Sequence, residues 1–168
     1  MLNKERLLVI GLGNLLMGDD GAGIHIINEL RKQNLPEEVD IIDGGTGGVE
    51  LIDILASSRT VIVIDAIITN GNSITGIRLF SPDAFIFNKE ENGYSLHDVE
   101  LTSVLSLMRA LDLEIPEIKI VGIPAVDISP RIGLSEECSR FIPETVELIV
   151  ELLQKRGLAG RGANHDCL

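Results

Sequence analysis

The sequence predicts a three-layer α/β fold, a mainly parallel twisted sheet of about five strands with helices on both faces and an edge strand set to run antiparallel. Three observations carry this. Strand-like and helix-like segments alternate along the chain, as right-handed crossovers between parallel strands require. The strand-like segments are unbroken apolar runs, which suits strands covered on both faces. The length, 168 residues at 45% hydrophobic and 24% charged, suits one well-packed core.

Leu7-Leu8-Val9-Ile10, ended by Gly11 and Gly13, is the first strand. Ile24, Ile27 and Leu30 then recur at helical spacing, with Glu29, Arg31 and Lys32 on the other side. Residues 39–42 form the second strand. A glycine-rich loop follows, with Thr46 or Gly47 opening a second helix whose stripe is Val49, Ile52, Leu55 and Ala56. The third strand is residues 61–64. Thr69-Asn70-Gly71-Asn72 reads as a tight turn and residues 74–80 as a strand, together a hairpin-like edge. Ser95 is placed to cap a third helix, with Asp98 at its third position and Leu101, Val104, Leu105, Met108 and Leu111 as its apolar stripe. Residues 118–121 are a further buried strand. A last helical pattern opens at Leu134-Ser135-Glu136-Glu137, and Pro143 marks a kink or restart. The single domain is expected over residues 1–156, with 157–168 a tail lacking periodicity and expected to be disordered.

Composition excludes several classes of function. Acidic residues number 26 against 14 basic ones, a formal charge of −12, which argues against nucleic acid as a partner. The apolar run at residues 61–68 is far short of the roughly 20 residues of a membrane helix, and no signal-peptide grammar opens the chain. A cytoplasmic monomer that leaves membranes alone is expected. Cys138 and Cys167 are too few and too far apart for a disulfide framework, and both read as reduced thiols.

The chemistry is expected beyond the carboxyl ends of the strands, where open α/β sheets bind ligands. The loop after the first strand lacks the third glycine of a dinucleotide fingerprint, having Leu16 there, and it ends in Asp19 and Asp20. Two carboxylates at a helix entry repel phosphate and suit a cation. Alternatively, Asp19 only caps the helix and Asp20 occupies its first turn. Asp65 closes an apolar strand, where a carboxylate needs a partner, a metal or loop N–H groups. Of three histidines, His165 lies in the tail and His25 off its helix's stripe, while His97 stands at a helix start. Asp20, Asp65 and His97 together would suit nickel, zinc or manganese with positions left open. The loop Asp43-Gly44-Gly45-Thr46 faces the same edge, either as a mobile substrate-facing segment or as a tight turn. Neither a nucleophile elbow nor a cysteine protease signature is present.

Taken in order, Val9 through Gly23 with its Gly-Asp-Asp-Gly, Asp43-Gly44-Gly45-Thr46-Gly47-Gly48-Val49-Glu50-Leu51, Ile64-Asp65-Ala66 and Ser95-Leu96-His97-Asp98 resemble the hydrogenase maturation endopeptidases. That resemblance covers most of the chain. It implies an endopeptidase that removes the C-terminal extension of a nickel-iron hydrogenase large-subunit precursor once nickel has been inserted. It further implies a metal-binding and catalytic triad, which here falls on Asp20, Asp65 and His97. Asp19, Asp43, Gly44, Gly45 and Thr46 form a second tier beside the substrate. Nickel would arrive in the precursor, and other divalent metals would also fit. Two other classes stand beside this reading: a non-catalytic nickel-binding maturation factor, and an NAD-binding oxidoreductase that would have to use Asp43 as its ribose acid.

Overall fold

The computed structural model describes residues 6–68, 76–83 and 95–161. Strands β1 (Leu7–Gly11), β2 (Val39–Asp43), β3 (Thr60–Ile67), β4 (Arg78–Phe80) and β5 (Glu117–Pro124) make one five-stranded sheet in the order β2-β1-β3-β5-β4. All pairs are parallel except β4 with β5. Helices α1 (Ala22–Leu30) and α5 (Phe141–Arg161) lie on one face, α2 (Leu51–Ala56) and α3 (Asp98–Ala110) on the other, and the short α4 (Glu136–Ser139) leads into α5.

The period-2 alternation of side chains sorts the core into two layers. Val9, Ile62, Ile64 and Val121 pack with Ile26, Ile27 and Ile149 on the α1/α5 side. Leu8, Ile10, Val61, Val63 and Ile120 pack with Leu55, Val104, Leu105 and Met108 on the α2/α3 side. Both layers are dry, so each fully buried Ile or Leu contributes roughly 1.5–3 kcal/mol.

Several local expectations are corrected. β4 runs antiparallel at the edge, and among the described residues its partner is β5 rather than β3. The third strand is longer than its apolar run, because the backbone of Asp65 and Ala66 still pairs with Gly122 and Ile123 whatever the side chains are. Helix α2 starts at Leu51, and Val49 is exposed, since the loop's glycines delay the helix. Leu111 is the exposed cap at the end of α3 and leaves its stripe. The last helical pattern divides at Arg140, placing Pro143 in the first turn of α5, where a missing N–H leaves no gap. α5 continues past the expected boundary at Gly157 to Arg161, since extending a formed helix adds one hydrogen bond per residue fixed. The turn at Thr69–Asn72, His165 and Cys167 lie outside the described residues.

The chain leaves β1 toward β2 and later returns on the other side as β3, so the strand order reverses between β1 and β3. The carboxyl ends of these two strands flank the crevice where such sheets place their ligands. Two glycines bring the loop after β1 close over it. A Cβ on Gly23 would stand 2.2 Å from the Leu12 carbonyl oxygen. Gly13, at φ +140°, would place one 2.0 Å from that of Asp20.

Asp19 locks this loop to the segment after β5. Fully buried, its Oδ1 accepts the Ser135 N–H at 2.6 Å, and its Oδ2 accepts the Val126 and Asp127 N–H groups, both at 2.9 Å, and the Ser135 hydroxyl at 2.8 Å. Burial pushes its pKa up, but these donors outweigh burial and hold the carboxyl below its ordinary range. The neighbouring Cys138 is a buried free thiol, pushed up to about 12 by burial and then by Asp19.

Replacing Asp19 with Ala orphans four donors at once. Asp19→Ala is expected to lower stability by about 3–5 kcal/mol in urea unfolding followed by circular dichroism, and Ser135→Ala by about 1–3 kcal/mol. Unchanged midpoints for Asp19→Ala would show that the clasp is not needed for folding.

Candidate active site

Asp20 sits in a 3-10 turn, Gly18–Gly21, that leads straight into α1. Asp65 lies within β3 on the same face as Val63 and Ile67, a position that alternation assigns to the α2/α3 layer. His97 is the N-cap residue of α3, which packs on that layer, and its carbonyl accepts the helix's first bond from Leu101 N–H. All three side chains are buried. Residues 20, 65 and 97 therefore meet because the switch point, the strand alternation and the helix start coincide.

His97 is held from both ends of its ring. Its Nδ1 is 3.0 Å from the Thr46 carbonyl oxygen, which can only accept, so Nδ1 carries a hydrogen and donates it. Its Nε2 is 3.2 Å from Asp20 Oδ1, yet out of line for a hydrogen bond, so this buried nitrogen has no hydrogen-bond partner. Burial works against charge on the imidazole. The Asp20 carboxylate beside it, the charge of Asp65 and the Thr46 carbonyl outweigh that and raise the ring to about 9. Asp20 Oδ2 accepts the Asn14 N–H at 2.9 Å, which leaves Oδ1 turned toward His97.

Asp65 is pushed up to about 7 by burial, against the pull of His97, the Ser95 hydroxyl and the Ala66 N–H. The Ala66 N–H reaches Asp65 Oδ1 at 2.8 Å, and the Ser95 hydroxyl donates to Oδ2. The same Ser95 oxygen accepts the His97 N–H at 2.9 Å. Ser95 is thus not the cap of α3. Its hydroxyl ties one acid to the backbone of the imidazole, a role the sequence reading missed because Ser-x-x-Asp looked locally like a capping box.

The second tier separates into different jobs. Asp43 Oδ1 accepts the Gly45 N–H, Gly44 N–H reaches the Gly11 carbonyl, and Gly13 N–H reaches the Gly45 carbonyl, so this loop is stitched to β1. Thr46 touches His97 through its carbonyl alone. Asp19 neither caps a helix nor faces the site, because its acceptors are taken by the segment after β5. His25 is on α1, away from these groups in sequence and only half-buried.

Two carboxylates and an imidazole whose buried Nε2 has no hydrogen-bond partner are donors of the kinds that hold nickel, zinc or manganese, although both Asp65 oxygens already accept hydrogen bonds from Ala66 and Ser95. The backbone carbonyl on Nδ1 is the usual support of a ligating histidine. Among the described residues, no three His, Cys, Asp or Glu side chains stand as a ready-made metal cage. The dinucleotide alternative loses its footing here, because the Asn14 N–H of the loop after β1 is already given to the Asp20 carboxylate.

Comparison with known proteins identifies the family. A family model described as hydrogenase maturation protease matches residues 24–152, which include Asp65 and His97. The hydrogenase 2 maturation protease of Escherichia coli is 32% identical over 164 residues, covering 96% of this chain and 99% of that protein, and so spans the Asp20 loop as well. The hydrogenase maturating endopeptidase HybD from E. coli superposes with a TM-score of 0.77 at 32% identity, over 90% of this chain and 94% of that one. The [NiFe] hydrogenase maturation protease HybD from Thermococcus kodakarensis does so with a TM-score of 0.74 at 28% identity, over 88% and 99%. With a buried acid–acid–imidazole site at its switch point and these matches along its length, the chain belongs to the hydrogenase maturation protease family.

Proposed function

We propose that this protein is the endopeptidase that removes the C-terminal extension of a nickel-iron hydrogenase large-subunit precursor after nickel insertion. The observation that carries the reading is the free, buried Nε2 of His97 beside Asp20 in a chain of this family. Nickel enters as part of the substrate. Two oxygen donors and one nitrogen, with no thiolate among them, hold nickel less firmly than a thiolate-rich protein site would. Asp20 and Asp65 supply oxygen donors, and His97 supplies Nε2 while Thr46 keeps its tautomer. Metal ligation would require a neutral imidazole, so the Nε2 proton of the charged His97 ring would have to leave for that nitrogen to serve as a ligand.

Hydrolysis adds water across the scissile amide. A C–O bond forms, the C–N bond breaks, and a proton passes to the leaving amine. Held by the precursor next to the cut, nickel would either polarise the scissile carbonyl or serve as a recognition handle, with Asp20, Asp65 and His97 as the residues that would meet it. Asp65, with an affinity for protons near neutrality, is the group suited to exchange one with water at the working pH. Ser95 keeps Asp65 and His97 in register, so that both reach the same point.

Asp20→Asn, Asp65→Asn and His97→Ala should each reduce processing by about 10²-fold or more. All three should remain folded, and Asp65→Asn should unfold at the wild-type temperature or above it, because a buried acid is exchanged for a neutral group. A folded variant that processes at the wild-type rate removes its residue from the site. Ser95→Ala should cut the rate by about 10–100-fold.

Nickel dependence is tested by mixing metal-stripped enzyme with nickel-loaded or nickel-free precursor and following the released peptide by mass spectrometry. Release is expected only from the loaded form. Equal release from both, or digestion of unfolded casein, would favour a protease that owns its metal. Binding of the loaded precursor without release would favour a nickel-binding maturation factor.

A further inference from the structure

Large apolar side chains left in water are unevenly distributed over the described residues. Leu15 and Leu16 precede Asp20 on its loop, Val49 follows Thr46, Leu96 adjoins His97, and Val126 and Ile132 lie on the segment that clasps Asp19. All six belong to connections at the carboxyl edge of the sheet, around the site. Leu16, Val126 and Ile132 are 63%, 65% and 85% exposed, so the core explains none of them.

These side chains stand on a rigid base. The Leu16 carbonyl accepts the Arg131 N–H at 2.9 Å, and the Gly18 N–H donates to the Arg131 carbonyl at 3.0 Å, a parallel bridge that pairs Met17 with Arg131, the chain neighbours of Leu16 and Ile132. The Asp19 N–H reaches the Asp127 carbonyl at 2.8 Å, and the Asp19 carboxylate holds the Val126 N–H. Two loops are therefore zipped together with their apolar side chains outward. In a chain of formal charge −12, exposed apolar side chains on so preorganised a base, around the neutralised Asp127–Arg131 ion pair, mark a contact with another polypeptide.

The position names the occupant. Leu16 is four residues from Asp20, so at most about 14 Å of extended chain separates them, and Leu96 is the immediate neighbour of His97. A polypeptide whose bond reaches Asp20 and His97 comes close to Leu16 and Leu96. We propose that Leu16, Val126 and Ile132 form a docking platform for an apolar segment of the precursor beside its scissile bond, an assignment that rests on the precursor being the substrate.

The test measures binding of nickel-loaded precursor by biolayer interferometry, with cleavage scored separately. Leu16→Glu/Ile132→Glu should weaken binding at least tenfold, and Val126→Glu should weaken it in the same direction. Leu107→Glu/Leu111→Glu, toward the far end of α3, should stay within twofold of wild type. Circular dichroism checks that each variant is folded, as their exposure leads one to expect. Wild-type affinity in folded Leu16→Glu/Ile132→Glu and Val126→Glu overturns the platform, and so does a wild-type protein that fails to bind precursor. A wild-type dimer that this double variant dissociates, with precursor affinity intact, overturns it too, by making the patch a self-association surface. Binding that responds as expected, without peptide release, supports the platform while sinking the protease reading.

Discussion

The placement of β1 between β2 and β3 is the constraint on which the molecule depends. A strand paired on both edges sends its outgoing chain to one side and receives the returning chain on the other, and its carboxyl end becomes the floor of a crevice. Everything functional in this protein hangs from that floor. The loop after β1 carries Asp20, the extension of β3 past its pairing with β1 carries Asp65, and the helix covering the same face starts at His97. Glycines at 13 and 23 matter because the loop must bend back over the strand ends with no room for a side chain.

The crevice buries groups whose charges pull against one another. Burial pushes Asp65 toward neutrality while Asp20 draws a proton onto His97, so the site settles its charges internally. Upward shifts of this kind, on an acid and an imidazole close to one another, are common where chemistry is done. A few angstroms away in sequence, Asp19 shows the contrasting use of the same residue type. Its four donors fully satisfy it, it stays ionised, and it serves the backbone. Adjacent aspartates thus divide into a structural lock and a reactive group, according to which way each carboxylate turns.

That lock also joins structure to recognition. Because the loop before Asp20 and the segment after β5 are fastened to each other, the side chains they raise into water keep a fixed arrangement. Ordering such loops on binding would otherwise cost entropy for every side chain immobilised. The acid that stabilises the fold thereby prepares the surface that a partner meets.

The sequence by itself determined the elements that local physics controls. Apolar runs at β1, β3 and β5 could only be buried strands, the stripe from Leu101 to Met108 could only be a helix against a sheet, and an aspartate inside an apolar run had to be paired or functional. It also placed Asp20 and Asp65 on one edge, since parallel strands send all their carboxyl ends the same way, while His97 joined them only through the family resemblance. What it left undecided depended on long-range geometry. Ser95 carried the local signature of a cap, and only the fold brought Asp65, 30 residues earlier, within reach of its hydroxyl. Asp19 looked like a helix-start acid until β5 delivered three backbone donors from more than 100 residues away. The antiparallel edge strand was legible, but its partner was not, because backbone pairing is nearly indifferent to sequence and is settled by which neighbour the packed layers leave open. Periodicity records which residues want to be buried; which polar groups meet once they are is decided by topology.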